Sequence, residues 1–262
     1  MITGARTSFQ IQRDVVYALL LRELASRFGK SRVGFLWVLM EPVAHLVFPI
    51  AVFGFMLERT IPGVEYPVFL TYGFLPFLLF KTICLQTMDG TRANRGLLSY
   101  RQVLLMDVFV AKALTHCAVS ASVFAVVLGG LALVGFDVLP PSPIELFGVL
   151  ALTVALAFGL GMLFAALGTV SPELKSIARL IFIPLYFLSG ILFPISRFPE
   201  DWLPWLAINP VLHLVELSRH AALPDYELVP ELGAGNPLAL AIASVFMGLA
   251  LYRLRWLSRA AA

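Results

Sequence analysis

The stretch I-E-L-F-G-V-L-A-L-T-V-A-L-A-F-G-L-G-M-L-F-A-A-L-G-T-V, from Ile144 to Val170, carries one ionisable side chain, Glu145, near its start. It exceeds the roughly 20 residues a helix needs to cross hydrocarbon at about 1.5 Å per residue. Ala157, Gly161 and Ala165 set a small-residue stripe along it that marks close helix packing. Five more apolar stretches surround it: Phe35 to Leu57, Pro67 to Met88, Val108 to Val134, Ile177 to Ile195 and Pro237 to Leu257. Together they predict an all-α membrane protein, one domain over residues 1–262 with six transmembrane helices.

Charge orients these spans. Of the 19 Lys and Arg residues, all but Arg59, Arg197, Arg219 and the intra-span Lys81 fall on one side. The positive-inside rule makes that side cytoplasmic, together with both termini. A chain 60% hydrophobic and 13% charged, with mean hydropathy +0.89, exposes more apolar surface than a soluble core can hide. The net charge of +3 gathers at span ends, which suits anionic headgroups and not nucleic acid. Cys84 and Cys117 both fall inside spans and suggest neither a disulfide nor a metal site.

Residues 9–30 read as an interfacial helix. The apolar run Val15 to Leu21 is short, is flanked by charge and has no small-residue cleavage site, so it is no secretory signal. At 100° per residue Tyr17, Leu20, Leu21, Leu24 and Phe28 share one face, and Arg22, Glu23, Ser26, Arg27 and Lys30 the other. The expected placement sets the basic face against headgroups, the alternative being a soluble partner.

Three connections carry information. Residues 89–107 (D-G-T-R-A-N-R-G-L-L-S-Y-R-Q-V-L-L-M-D) are too polar at the start to be span and too long for a tight turn, and predict a short cytoplasmic helix exposing Arg92, Arg95 and Arg101. Ser171-Pro172-Glu173 has the cap, first-turn and dipole residues of a helix start. Residues 197–236 lie outside, with Trp202 and Trp205 marking an interface and Asn209-Pro210 opening a second apolar helix. They read either as re-entrant helices, covered by protein at their ends, or as a surface loop.

Several apparent motifs fail. Gly29-Lys30-Ser31 lacks the glycine of a phosphate loop five residues earlier, where Leu24 stands. Leu188-Ser189-Gly190 resembles a transport-ATPase signature but sits in a span. His213, Glu216 and His220 share a helical face, which suits an interhelical polar contact better than a metal, for want of a third strong ligand at that depth. Ionisable groups at membrane depth usually face the bundle interior. Glu41 and Lys81 are therefore expected to face inward and pair, unless Lys81 snorkels, and His45 follows Glu41 on the same stripe.

Certain residues resemble a known family in order and spacing. These are Arg22-Glu23; R-F-G-K-S-R-V-G-F-L-W-V-L-M-E-P (Arg27 to Pro42); Y-P-V-F-L (Tyr66 to Leu70); N-R-G-L-L-S-Y-R (Asn94 to Arg101); S-P-E (Ser171 to Glu173); and N-P-V-L-H-L-V-E-L-S-R (Asn209 to Arg219). Together they are similar to the membrane subunit of capsular polysaccharide ABC exporters, in the ABC-2 permease family. The resemblance reaches Arg253 and implies six spans, an N-terminal interfacial helix and re-entrant helices before the last span. It further implies an inner-membrane homodimer carrying two copies of a separate ATPase, which holds the ATP and Mg, so this chain needs no cofactor. An O-antigen or teichoic acid permease is the nearest alternative within the family, and a small-molecule efflux permease a more distant one.

By the same resemblance Arg92, Asn94, Arg95, Tyr100 and Arg101 form the coupling segment that docks on the ATPase, with Ser171 and Glu173 a second contact. The first and fifth spans line a canal between protomers, to which Trp37, Glu41, His45, Arg179, Phe182, Tyr186 and Phe187 are available. Aromatic rings stack weakly on sugar faces in any register and let a polymer slide. Arg27, Lys30 and Arg32 at the cytoplasmic mouth would attract an acidic polymer or its lipid terminus, or serve only as topology determinants. Trp202, Trp205, His213, Glu216 and Arg219 form the expected outward gate or partner region. The implied partners there are a periplasmic co-polymerase and an outer-membrane export protein.

Overall fold

The computed structural model describes residues 7–28, 40, 43–52, 64–94, 96–100 and 102–260. Every regular element among them is helical: α1 (Ser8–Phe28), α2 (Val43–Val52), α3 (Tyr66–Ala93), α4 (Leu105–Val134), α5 (Pro143–Leu167), α6 (Pro172–Leu188), α7 (Leu203–Leu206), α8 (Pro210–Ala222) and α9 (Gly235–Ala260). Four of these are long and apolar enough to cross a membrane: α3, α4, α5 and α9. α2 is an apolar helix of the first expected span, whose other residues lie largely outside the described ones. α6, with 17 residues, extends about 26 Å at helical rise.

α3 is the centre. Pro67 sits in its first turn, where a missing N–H costs nothing. Phe69, Leu70, Tyr72, Phe74, Phe77, Ile83 and Cys84 are buried along it and join the main core with residues of α4, α5, α6 and α8. α4 and α9 instead turn large apolar side chains outward, among them Val126, Leu133, Ile242 and Phe246. Exposed apolar surface on that scale fits lipid as solvent.

Small residues bring α5 against its neighbours. A Cβ on Gly159 would lie 2.7 Å from the Val245 amide nitrogen of α9, and one on Gly161 would lie 2.9 Å from the Cys84 carbonyl oxygen of α3. Ala157 and Ala165 are buried on the same helix, so the stripe serves helix packing. α4 ends in a left-handed Gly135 (φ 103°), whose N–H reaches Ala132 O while Phe136 N–H reaches Leu131 O. That pair of bonds satisfies carbonyls the helix would otherwise orphan.

Some boundaries move from expectation. α3 runs on to Ala93, beyond the expected end at Met88, and the short helix expected over 89–107 is a single 3₁₀ turn, Leu97–Ser99. The segment is therefore an elbow between α3 and α4. α6 stops at Leu188 and not Ile195, because Gly190 turns the chain with φ 64° and Pro194 follows. Ser171 is extended and its side chain makes no cap bond, donating instead to the Glu173 carboxylate, although Pro172 does open the helix. Asn209 caps as expected: its Oδ1 accepts from Val211 N–H at 3.0 Å, ahead of Pro210.

Candidate coupling elbow, conduit and outer cap

At the elbow end, α1 lies against α4 through Leu19, which packs with Val108 and Ala111 and with half-buried Val15, Val16, Leu97, Leu98 and Val103. Polar contacts run beside this seam. Gln12 Nε2 donates to Asp107 Oδ1 at 2.9 Å, Lys112 Nζ to Glu23 Oε1 at 3.0 Å and to Gln86 Oε1 at 3.4 Å, and Arg22 donates to Asn94 Oδ1. Lys112 and Asp107 are buried, so both require partners. Arg22 and Glu23 of α1 thus reach the elbow and α4, Arg22 keeping exposed surface, while Tyr17 and Leu21 are exposed and Leu20 and Leu24 half-buried.

Asn94 is likewise buried, its Nδ2 donating to Gly90 O at 3.0 Å. As a residue expected to touch an ATPase it is unreachable; it fastens the elbow from within. Tyr100, 65% exposed, is available to a partner. Arg95 and Arg101, the side chains of Arg27 and Arg92, and Lys30, Arg32, Trp37 and Glu41 lie outside what is described, and the expected Glu41–Lys81 pair with them. Lys81 itself is half-buried.

Where α6 starts, Arg179 Nη2 donates to both carboxylate oxygens of Asp89 at 2.8 Å, and Lys175 Nζ donates to Met88 O at 3.0 Å. These bonds tie the root of α6 to the end of α3. They are half-exposed, so each contributes little stability alone. Ser171 and Glu173 stand beside this junction at the surface, α6's first turn exposing Glu173.

Between α2, α3 and α6 the aromatic side chains form a column. Phe182 meets Phe80 at 5.7 Å; Tyr186 meets Phe74 at 5.8 Å and Phe77 at 5.4 Å; Phe187 meets Tyr186 edge-on at 5.2 Å; and His45 meets Phe74 edge-on at 6.1 Å. Phe182 is buried within the protomer, whereas Phe187 is 62% exposed and His45 is exposed. Of the residues expected on the canal, Phe187 and His45 are therefore exposed, and Phe182 is not.

At the other end, α8 is embedded. Leu212, Leu214 and Val215 are fully buried, and Glu216 and Arg219 show no exposed surface. Arg219 donates to Glu216 Oε1 at 2.8 Å, Gly190 O at 2.8 Å and Ile191 O at 2.6 Å, with its guanidinium 3.6 Å above the Phe69 ring. Tyr226 O–H completes Glu216 at 2.8 Å, and burial together with that carboxylate pushes the Tyr226 phenol well up. His213 spends both ring nitrogens within the protein: Nδ1 accepts from the Gly233 N–H at 3.0 Å, and Nε2 lies 2.7 Å from the Ala207 carbonyl oxygen. A partner cannot reach these three residues from outside; Trp202 and Trp205, 58% and 77% exposed, can be reached.

Sequence reasoning missed the buried Lys112 and Asp107. Their signal was present: two opposite charges at i and i+5 opening an otherwise apolar helix.

A bundle whose long apolar helices expose hydrocarbon, with a polar elbow at one end and a capped, embedded helix at the other, is the architecture of a helical membrane protein. The ABC-2 type transporter family profile matches residues 14–223, and the chain belongs to that family. It is 36% identical over 252 residues to the polysialic acid transport protein KpsM of Escherichia coli, covering 96% of this chain and 97% of that one. It is 24% identical over 251 residues to the capsule polysaccharide export inner-membrane protein BexB of Haemophilus influenzae, covering 96% and 94%. The O-antigen export system permease protein RfbA of Myxococcus xanthus is 27% identical over 259 residues, covering 94% and 96%.

Proposed function

We propose that this chain is the inner-membrane permease subunit of an ATP-driven exporter of lipid-linked capsular polysaccharide. The observation that carries it is the 36% identity to a polysialic acid transport protein along nearly the whole of both chains. In this reading α2 and α6 belong to two further spans, making six, with both termini in the cytoplasm. α7 and α8 are the re-entrant pair in the outer leaflet, and α8 is covered by α3 and α5. The chain is one membrane domain.

It works as a homodimer with two copies of a separate ATPase, which binds ATP and Mg; this chain hydrolyses nothing. The elbow, through Arg92, Arg95, Tyr100 and Arg101, docks on that ATPase, and Ser171 with Glu173 gives a second contact. A polymer longer than the bilayer is thick requires a continuous conduit. The exposed aromatics beside α6 offer a low-friction wall for sugars, with Trp37, Glu41, His45, Arg179, Tyr186 and Phe187 along it. Arg27, Lys30 and Arg32 attract the acidic polymer at the cytoplasmic mouth. Trp202 and Trp205 face the co-polymerase that leads to the outer-membrane export protein.

Closure of the ATPase dimer pushes the elbow, and through α1 and α6 changes the width of the conduit. Deletion of the chain should leave capsular polymer in the cytoplasm, and restoration with Arg95→Glu should leave it there despite normal membrane insertion. Normal capsule in the deletion strain refutes the reading, and normal capsule with Arg95→Glu refutes the coupling role of that residue. Accumulation of O-antigen instead would favour the function named for the RfbA relative.

A further inference from the structure

Beneath the elbow, against the ends of α4, α5 and α9, lies a cavity of about 300 Å³. Its floor is Phe109, Met162 and Ala165, which are buried and pack together as one apolar cluster. Its mouth is at Tyr100 and Leu104, 65% and 40% exposed. Among the described residues that line it, none is charged, and the polar side chains are the hydroxyls of Thr91, Tyr100, Thr169 and Tyr252.

That wall selects its ligand by chemistry. An ion or a sugar would lose its hydration to hydrocarbon and recover few hydrogen bonds. A slender apolar chain loses nothing, and the volume lies at the lower end of the range for ligand pockets. The supply is adjacent, since the helices that frame the cavity are those that expose apolar side chains to the bilayer. A chain seated on Phe109 and Met162 with its polar end at Tyr100 would be oriented as lipids are, tail inward and head at the helix ends.

We propose that this cavity binds a single fatty-acyl chain and that the chain props the elbow against the bundle. The source is either a bilayer phospholipid or the lipid end of the exported polymer, the second resting on the function proposed above. The site sits where elbow movement would open or close it, so occupancy favours one elbow position over another.

The test uses the full-length chain in vesicles of phosphatidylglycerol and phosphatidylethanolamine, with phosphatidylglycerol carrying a diazirine at the end of one acyl chain. After illumination, adducts should appear on Phe109, Met162 or Ala165. They should fall at least about tenfold in Ala165→Trp, while labelling of the outward Leu133 and Val134 on α4 stays unchanged and reports correct insertion. Leu98→Trp fills the cavity from the elbow side and should act alike if Ala165→Trp disturbs the bundle. Labelling in these vesicles assigns a bilayer lipid. Labelling that appears only with a diazirine lysophosphatidylglycerol bearing an acidic oligosaccharide assigns the polymer's lipid end. Cavity residues unlabelled by both probes, or labelled equally in both tryptophan variants, overturn the site and leave the export function standing.

Discussion

Lys112 of α4 reaches Glu23 of α1 at 3.0 Å, with only 5% and 15% of the two side chains exposed. Removing either member costs the other its ionic partner, a loss of about 3–5 kcal/mol for a fully buried pair and less here because Glu23 keeps some water and Lys112 keeps Gln86. Lys112→Met should therefore lower the unfolding temperature in detergent measurably. The double variant with Glu23→Gln should lose less than the two single losses added together. Strict additivity in tryptophan fluorescence melts would show that the two charges do not interact.

The Arg219 guanidinium binds three carbonyls and a carboxylate at once, which an ammonium cannot reproduce. Arg219→Lys should destabilise nearly as much as Arg219→Met, on the order of 3 kcal/mol. Chemical denaturation of the purified chain, followed by circular dichroism, decides it. A harmless lysine would mean that charge alone matters.

Gly73 lies under that same guanidinium: a Cβ there would come within 2.9 Å of Cζ. Gly73→Ala should displace Arg219 and cost about 1–3 kcal/mol of overpacking. In the Arg219→Met background the same change should cost less, a difference that a thermal-shift comparison reads directly.

Gly159→Ala pushes α5 away from α9, where the obstacle is the backbone nitrogen of Val245. Because backbone cannot rotate aside, the expected outcome is poor yield and an early melt, with Ser244→Gly giving no rescue. Rescue by Ser244→Gly would mean that only the side chain stands in the way.

Asn94 and Tyr100 separate two roles within one elbow. Asn94→Ala breaks buried bonds to Gly90 and Arg22 and should cost about 1–3 kcal/mol of stability. Tyr100→Ala removes an exposed side chain and should leave the melt unchanged while weakening association with the ATPase, measured by co-purification. The reverse pattern would exchange their roles.

What could be read from the chain follows from how local each cause is. The apolar runs that became α3, α4, α5 and α9 are local sums of hydropathy, and Asn209-Pro210 is a cap completed within two residues. The Lys112–Glu23 contact joins positions 89 apart, and no periodicity links them. α1 is instructive: its pattern gave the helix, but the bonds of Arg22 to Asn94 and of Glu23 to Lys112 join distant positions that no periodicity links. The expected α6 end at Ile195 failed similarly, since hydropathy continues through Ile191 and Leu192 while Gly190 turns the backbone.

With Tyr17 and Leu21 outward and Gln12, Arg22 and Glu23 moored to α4 and the elbow, α1 resembles a float on a short tether. Under the function proposed above, α1 rides on the bilayer, so whatever raises, thins or stiffens that surface pulls on the tether, and the physical state of the membrane becomes an input to the joint assigned there to the fuel-burning partner.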